Sequence, residues 1–280
     1  MRKAFEGKSV IVTGGASGIG RALASSLVAS GADVTLADID AAMVTQTATE
    51  IGATAGRAVD TRDATAMEAL VDEVATRHGS IDFVFNNAGI SLGGPTHELS
   101  AAHWDRIIDI NLRGAVNGVR AAYPRMIEQG HGHIVNTASG AGLAAPPFVT
   151  PYATTKFAVV GLSISLRSEA ALHGVRVSAL CPGSIDTPIL DRAPDPDLPA
   201  TESATVTARE YLAAVKQKPI SADRFAQRAL QQVARNKAII VVPRSAKALW
   251  CVQRISPALM GVLTGSIARK VQRELIRPRS

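Results

Sequence analysis

The stretch "KSVIVTGGASGIGRAL" (Lys8–Leu23) decides how this 280-residue chain is read. Its first half, 8–14, is a short apolar run rich in β-branched residues, as a strand buried on both faces should be. Its second half opens a helix expected over 18–30. Between the two, Gly14, Gly18 and Gly20 form G-x-x-x-G-x-G rather than G-x-G-x-x-G. The physical task is similar. Glycines permit a tight turn, let backbone approach a pyrophosphate and bring the helix close to the strand. The helix N-terminus then presents free N–H groups and the positive end of its dipole. A plain strand-to-helix turn would also use glycine, so the signal rests on its position in a βαβ unit.

Outward from this segment, short apolar runs alternate with longer amphipathic ones. Strands are expected over 33–38, 55–60, 81–88, 132–139, 174–180 and 238–243, and helices near 40–51, 63–78, 100–128, 152–173 and 222–235. The alternation predicts a single α/β domain with a doubly wound parallel sheet of about seven strands and right-handed crossovers. The rhythm breaks twice. Residues 188–221 are rich in proline and acid at first and weakly helical later, and read as a substrate lid. After Pro243 the α/β alternation ends, so the catalytic body is bounded at 1–243 and a C-terminal extension at 244–280.

Asp38 ends the second expected strand, eighteen residues after Gly20. An acid there accepts hydrogen bonds from an adenosine ribose diol and repels a 2′-phosphate. Ser17 and Ile39 offer no cation for such a phosphate. The reading is NAD over NADP; the competing reading of Asp38 is a strand-end cap for the next helix.

Composition bounds the rest. The chain is 46% hydrophobic and 19% charged, enough for a sizeable core. Two cysteines seventy residues apart make no disulfide framework, so a reducing, cytoplasmic setting is expected. No signal-peptide h-region opens the sequence, and no uncharged apolar run reaches the roughly 20 residues of a membrane span. The net charge of +6 divides unevenly: residues 224–280 hold 12 Lys or Arg and one acid, +11, which leaves −5 for residues 1–223.

"TPYATTKFAVVGLSISLRSEAA" (Thr150–Ala171) places Tyr152 and Lys156 four residues apart, on one face of a helix. Alone, the pair reads as a half-buried aromatic and a solvated charge. The order of other motifs changes that. Thr13-Gly14-x-x-x-Gly18-Ile19-Gly20, Asp60 at the end of the third strand, Asn86-Asn87-Ala88-Gly89, Asn111, Ser139, Tyr152-x-x-x-Lys156 and Pro182-Gly183 follow one another at characteristic spacing. In this the chain resembles the classical short-chain dehydrogenase/reductase family over residues 6–190 and, more loosely, to 243.

The resemblance implies a Rossmann-like sheet and a nicotinamide cofactor. It implies that Asp60 contacts the adenine amino group and that Asn87 lies under the adenosine ribose. Pro182, Gly183, Ile185 and Thr187 would wrap the nicotinamide end, with Gly14, Ser17, Gly18, Ile19, Gly20, Asp38 and Thr61 completing the cofactor set. Tyr152 and Lys156 would also touch the cofactor, the ammonium holding the nicotinamide ribose. Asn111, Ser139, Tyr152 and Lys156 would be the catalytic set, with Asn111 holding a proton-relay water. The alternative for Asn111 is a polar residue satisfied at a helix contact.

The pairing makes chemical sense. When a hydride leaves a carbinol carbon, the hydroxyl must lose its proton to a base within hydrogen-bond reach. A free phenol titrates near 10 and needs a nearby cation to act at neutral pH. Ser139 can hold the substrate oxygen without changing charge.

The expected activity is NAD-dependent oxidation of a secondary alcohol, or ketone reduction in reverse. Segments near Ser91–Gly94, Gly140–Phe148 and the lid would form the pocket, and "GLAAPPF" suggests an apolar or bulky substrate. An NADPH-dependent carbonyl reductase and a nucleotide-sensing or membrane-associated scaffold are the alternatives. A homodimer or homotetramer is expected. "HGH" (His131–His133) lacks a third ligand nearby in sequence, so no metal is expected. The extension mixes Leu249, Trp250, Ile255, Leu259 and Val262 with eight Lys or Arg, and Pro257 should interrupt its helix. Its apolar face either packs on the body or a partner subunit, or lies peripherally on a membrane. No nucleic-acid motif is present.

Overall fold

The computed structural model describes residues 2–192, 195–203 and 206–276. Met1, residues 193–194 and 204–205 of the expected lid, and 277–280 of the extension lie outside the described residues. The chain runs through α1 (Arg2–Phe5), β1 (Ser9–Thr13), α2 (Gly18–Val28), β2 (Asp33–Asp38), α3 (Ala41–Ile51), β3 (Ala55–Ala58), α4 (Ala64–His78) and β4 (Phe83–Asn86). It continues with α5 (Ala101–Ile108), α6 (Gly114–Gln129), β5 (Gly132–Thr137), α7 (Thr150–Ala171), β6 (Val175–Pro182) and β7 (Ile185–Asp186). Then come α8 (Ala208–Ala214), β8 (Ile220–Ser221), α9 (Ala222–Ala234), β9 (Ile239–Val242), α10 (Arg244–Ile255) and α11 (Pro257–Glu274).

Seven strands form one parallel sheet in the order β3-β2-β1-β4-β5-β6-β9. The direction of winding reverses between β1 and β4, and that switch point opens a crevice beyond their C-terminal ends. Alternation within β1 shows why both faces need helices. Val10 and Val12 join one buried cluster with Leu23, Leu27, Phe225 and Leu230, under α2 and α9. Ile11 joins the other with Met67, Val71, Met126 and Leu166, under α4, α6 and α7. A period of two on a doubly covered sheet leaves no polar face.

Helix ends follow local chemistry. Asp40 accepts the Met43 N–H at 2.9 Å and Asp63 the Ala66 N–H at 3.1 Å, as N-caps. Gly79 and Gly130 close α4 and α6 in the left-handed region.

Three expected elements differ. The helix expected over 100–128 is broken at Asp109–Arg113 by a π-helical turn that carries Asn111. The third strand stops at Ala58, two residues short of Asp60, because the Asp60 carboxylate accepts the Arg62 N–H at 2.9 Å and turns the chain out of the ladder. The lid is not one loop: it leaves the body at β7, returns at β8, which pairs with β7 in parallel, and contains α8 between them. Pro257 does interrupt the C-terminal helix, standing at the first position of α11. No helix among the described residues is long and apolar enough to cross a membrane.

His133, on central β5, is buried and shares a 2.8 Å hydrogen bond with Ser178. The Ser178 hydroxyl gives its proton to Lys237 O at 2.7 Å, so the imidazole Nε2 must be the donor. Burial, with repulsion from Arg176 and Arg167, lowers the His133 pKa from 6.5 to about 3. Between those values the unfolded chain binds a proton that the native chain refuses. The stability from a neutral His133 is therefore complete above about pH 6.5 and falls as the medium becomes more acidic. Chemical denaturation should show a loss of about 1.4 kcal/mol per pH unit below pH 6.5, and His133→Gln should flatten that slope. A wild-type curve already flat from pH 6.5 to 5 would contradict this.

Candidate active site

The loop after β1 and the turn after β4 meet at the switch point. Thr13 Oγ1 accepts the backbone N–H of Asn87 at 2.9 Å and of Ala88 at 3.1 Å. Asn87 Nδ2 returns a bond to Thr13 O at 3.1 Å. Gly14 and Gly18 hold φ of 62° and 52°. A Cβ on Gly20 would stand 2.0 Å from Gly14 O and 2.7 Å from Asn87 Nδ2. Glycine is therefore required at Gly20 for the helix to close on the loop. Asp38 braces the same loop, its carboxylate accepting the Ala16 N–H at 3.1 Å.

This crevice opens into a cavity of about 1370 Å³. Gly14, Ser17, Gly18, Ile19, Asp38, Asp60, Thr61 and Asn87 line it on the loop side. Ser139, Tyr152, Lys156, Pro182, Gly183, Ile185 and Thr187 also line it, from β5, α7 and the end of β6. Of the candidate catalytic and cofactor residues, Gly20 and Asn111 do not reach the cavity. Gly20 works by closing the helix on the loop.

Asn111 is buried, and its amide is fully engaged. Oδ1 accepts the Ile90 N–H at 2.8 Å, while Nδ2 donates to Ile90 O at 3.0 Å and to Thr155 Oγ1 at 3.3 Å. These bonds clamp the turn after β4 to α7 one residue before Lys156. The resemblance implies that Asn111 holds a relay water; the side chain itself is used in this clamp.

Lys156 is 4% exposed. Its Nζ donates to Thr137 O at 3.0 Å and lies 5.7 Å from the centre of the Tyr152 ring. Burial lowers its pKa to about 8, so it is mostly cationic at neutral pH. Ser139 stands near enough to the Tyr152 hydroxyl to draw its pKa down, and its own Oγ accepts the Ala141 N–H at 3.1 Å. Gly142 lets this turn press on α7: a Cβ there would stand 2.5 Å from Lys156 O.

The electrostatics differ from the sequence-based expectation. Burial raises the Tyr152 pKa, and Ser139 opposes it only in part. Lys156 is bonded to a carbonyl rather than to the phenol, so the desolvation of the phenolate prevails among the protein's own groups. Burial likewise pushes the Cys181 thiol up to about 12, which fits a small, inert core residue. The Arg62 guanidinium engages both Asp60 carboxylate oxygens, Oδ2 at 2.6 Å and Oδ1 at 3.1 Å, and holds the carboxyl below its ordinary pKa.

Sequence reasoning missed the lid's anchors. Arg106 on α5 donates to Asp195 at 2.9 Å and to Asp197 at 3.3 Å. Glu98 accepts from the Ser203 N–H at 2.8 Å and its hydroxyl at 2.6 Å. Lys270 on α11 donates to Ala214 O, at the end of α8, at 2.6 Å. The one advance signal was the acid-rich "DPD" (195–197) in the lid.

The model of the short chain dehydrogenase family matches residues 8–197. The chain belongs to that family. It is 43% identical over 196 residues to 2,5-dichloro-2,5-cyclohexadiene-1,4-diol dehydrogenase of Sphingobium indicum, covering 69% of this chain and 78% of that protein. It is 37% identical over 257 residues to probable oxidoreductase EphD of Mycobacterium tuberculosis, covering 89% of this chain. The chain spans only 43% of the length of that relative. Its fold superposes with a TM-score of 0.83 on a crystal structure of a short chain dehydrogenase/reductase from Burkholderia phymatum in complex with NAD. That match is 31% identical and covers 91% of this chain and 96% of the other.

If the buried ammonium supports turnover, its charge must matter where it is present, below about pH 8. Lys156→Met should lower turnover most strongly below that pH and remove the inflection there from the rate profile. A variant profile parallel to the wild type would take the lysine out of the proton chemistry.

Proposed function

We propose that the chain is an NAD-dependent dehydrogenase that oxidises a secondary alcohol, or reduces the ketone in reverse, with Tyr152 as general acid and base. One observation carries this reading: Tyr152, whose hydroxyl feels the Ser139 side chain, shares a helix face with a buried Lys156. All three line the cavity that the glycine loop enters.

The site fits a dinucleotide. The glycine loop presents backbone rather than side chains, and Asp38 stands at the cavity wall with a carboxylate pinned by the Ala16 N–H. Gly14, Ser17, Gly18 and Ile19 would hold the pyrophosphate, Asp38 the adenosine ribose, and Pro182, Gly183, Ile185 and Thr187 the nicotinamide end. Bound NAD supplies the hydride acceptor. Tyr152 takes the carbinol proton. Ser139 holds the substrate oxygen beside the phenol. Lys156 adds positive charge and has ammonium protons left for the nicotinamide ribose after its bond to Thr137 O. Asn111 positions this helix through Ile90 and Thr155. Asp60 lines the cavity at the adenine end and would contact the adenine amino group; Thr61 and Asn87 flank that end.

NAD is favoured over NADP because the Asp38 carboxylate would repel a 2′-phosphate. At about 4 Å, two such charges cost about 4 kcal/mol at an effective dielectric of 20. The Burkholderia relative carries NAD in its crystal structure. A homodimer or homotetramer is supported by Phe157 and Ile164, exposed on the outer side of α7. The unpaired Cys181 and Cys251 fit a reducing, cytoplasmic setting. An intact Ser–Tyr–Lys constellation would serve no purpose in a nucleotide-sensing scaffold.

Two measurements test the reading. Tyr152→Phe should keep NAD affinity within about twofold and lower turnover by at least about 100-fold; near-normal turnover rejects the acid–base role. Asp38→Ala should erase a preference for NAD over NADP of up to about 1000-fold in kcat/KM. Equal use of both cofactors by the wild type would favour the carbonyl-reductase alternative.

A further inference from the structure

We propose that the outer face of the α10–α11 pair docks on an anionic lipid surface, and that the cavity takes an apolar alcohol or ketone from that surface. The docking stands on the helix pair alone; the delivery rests on the dehydrogenase reading.

Helix α11 is apolar on two sides, and packing accounts for one. Met260, Thr264, Ile267 and Val271 recur at helical spacing and line the cavity. On a second flank, Leu259 is 50% and Val262 66% exposed, and Ile255 at the end of α10 is 85% exposed. Leu249 and Leu263 belong to both sets, lining the cavity while 40% and 41% exposed. The apolar patch therefore runs continuously into the cavity rim. A route from bilayer to active site would cross no polar barrier at these two residues.

Charge selects the occupant. Arg244, Lys247, Arg254, Arg269 and Arg273 are exposed on these helices, and none forms an ion pair among the described residues. Glu274 is the one acid in 244–276. A basic rim around leucine, isoleucine and valine matches an anionic headgroup layer over acyl chains. A second copy fits less well. A two-fold contact through this face would set the same five cations against themselves. Lys270, bonded to Ala214 O, ties the docking helix to the lid helix, so the surface that meets lipid also closes the pocket.

Flotation with phosphatidylcholine vesicles containing phosphatidylglycerol tests the docking. The wild-type chain should rise with these vesicles, be released by high salt, and bind phosphatidylcholine alone at least about tenfold less. Arg269→Gln with Arg273→Gln should weaken binding about fivefold per charge. The combined substitutions Ile255→Glu, Leu259→Glu and Val262→Glu should abolish flotation. They lie outside the cavity lining, so turnover of a water-soluble secondary alcohol should stay within about twofold. Turnover of a long-chain secondary alcohol presented in the same vesicles should fall about tenfold. No flotation of the wild type, or flotation unchanged in the triple variant, overturns the docking. A loss of oligomer mass in the triple variant without wild-type flotation assigns the face to a second copy and also overturns it. Flotation with equal turnover of the vesicle-borne alcohol by both forms overturns the delivery alone. Flotation with no alcohol turned over by either form refutes the dehydrogenase reading, and the delivery with it, while the docking stands.

Discussion

One hydroxyl joins the two halves of the sheet where function collects. Thr13 Oγ1 accepts two backbone N–H groups from the turn after β4, and Asn87 returns a bond to the end of β1. A parallel sheet that winds outward in both directions from one point must leave a gap there, since no crossover helix covers it. The threonine fixes the width of that gap. The glycine loop stands on one side, and the turn that meets Asn111 and Lys156 stands on the other. A Cβ on Gly89 would lie 3.0 Å from Asn111 Oδ1 and 3.4 Å from Lys156 Nζ. The glycine-loop crevice and the Tyr152–Lys156 pair are thus held in register through a few backbone contacts.

The other half of the register comes from a chain of buried polar side chains. Asn86 Nδ2 donates to Asn136 Oδ1 at 2.8 Å, Asn136 Nδ2 to Ser163 at 3.1 Å, and Ser163 to Val159 O at 2.7 Å. This chain links β4, β5 and α7. Buried polar groups are costly when unpaired and specify one arrangement when paired. Here the arrangement they specify is the angle at which α7 crosses the sheet, and with it the place of Tyr152. Hydrogen bonds of this kind explain why a site built from three separate elements stays assembled.

Much of this was legible in the sequence, and the reasons are local. Strand positions followed from apolar runs such as Val10–Val12, and helix positions from the longer amphipathic runs between them. The meeting of Ser139, Tyr152 and Lys156 followed from helical spacing and the motif order. What was not legible depended on contacts distant in sequence. The π-helical turn at Asn111 has no periodicity of its own; it exists because Asn111 reaches Ile90 and Thr155. The raised Tyr152 pKa depends on burial, which a four-residue spacing does not reveal. The lid's anchors, Arg106 to Asp195 and Lys270 to Ala214, join residues 89 and 56 positions apart. The basic extension was readable as amphipathic but not as a wall of the cavity, because its inner partners lie on the lid.

The central claim is that one crevice holds a dinucleotide between the glycine loop and a buried lysine beside a phenol. A crystal structure of the chain with NAD tests it most directly. The account predicts the pyrophosphate against Gly14–Gly20, the adenosine ribose hydroxyls on Asp38, and the nicotinamide ribose within hydrogen-bond distance of Lys156 Nζ. A nucleotide bound elsewhere, or bound with its nicotinamide turned away from Tyr152 and Lys156, would contradict it.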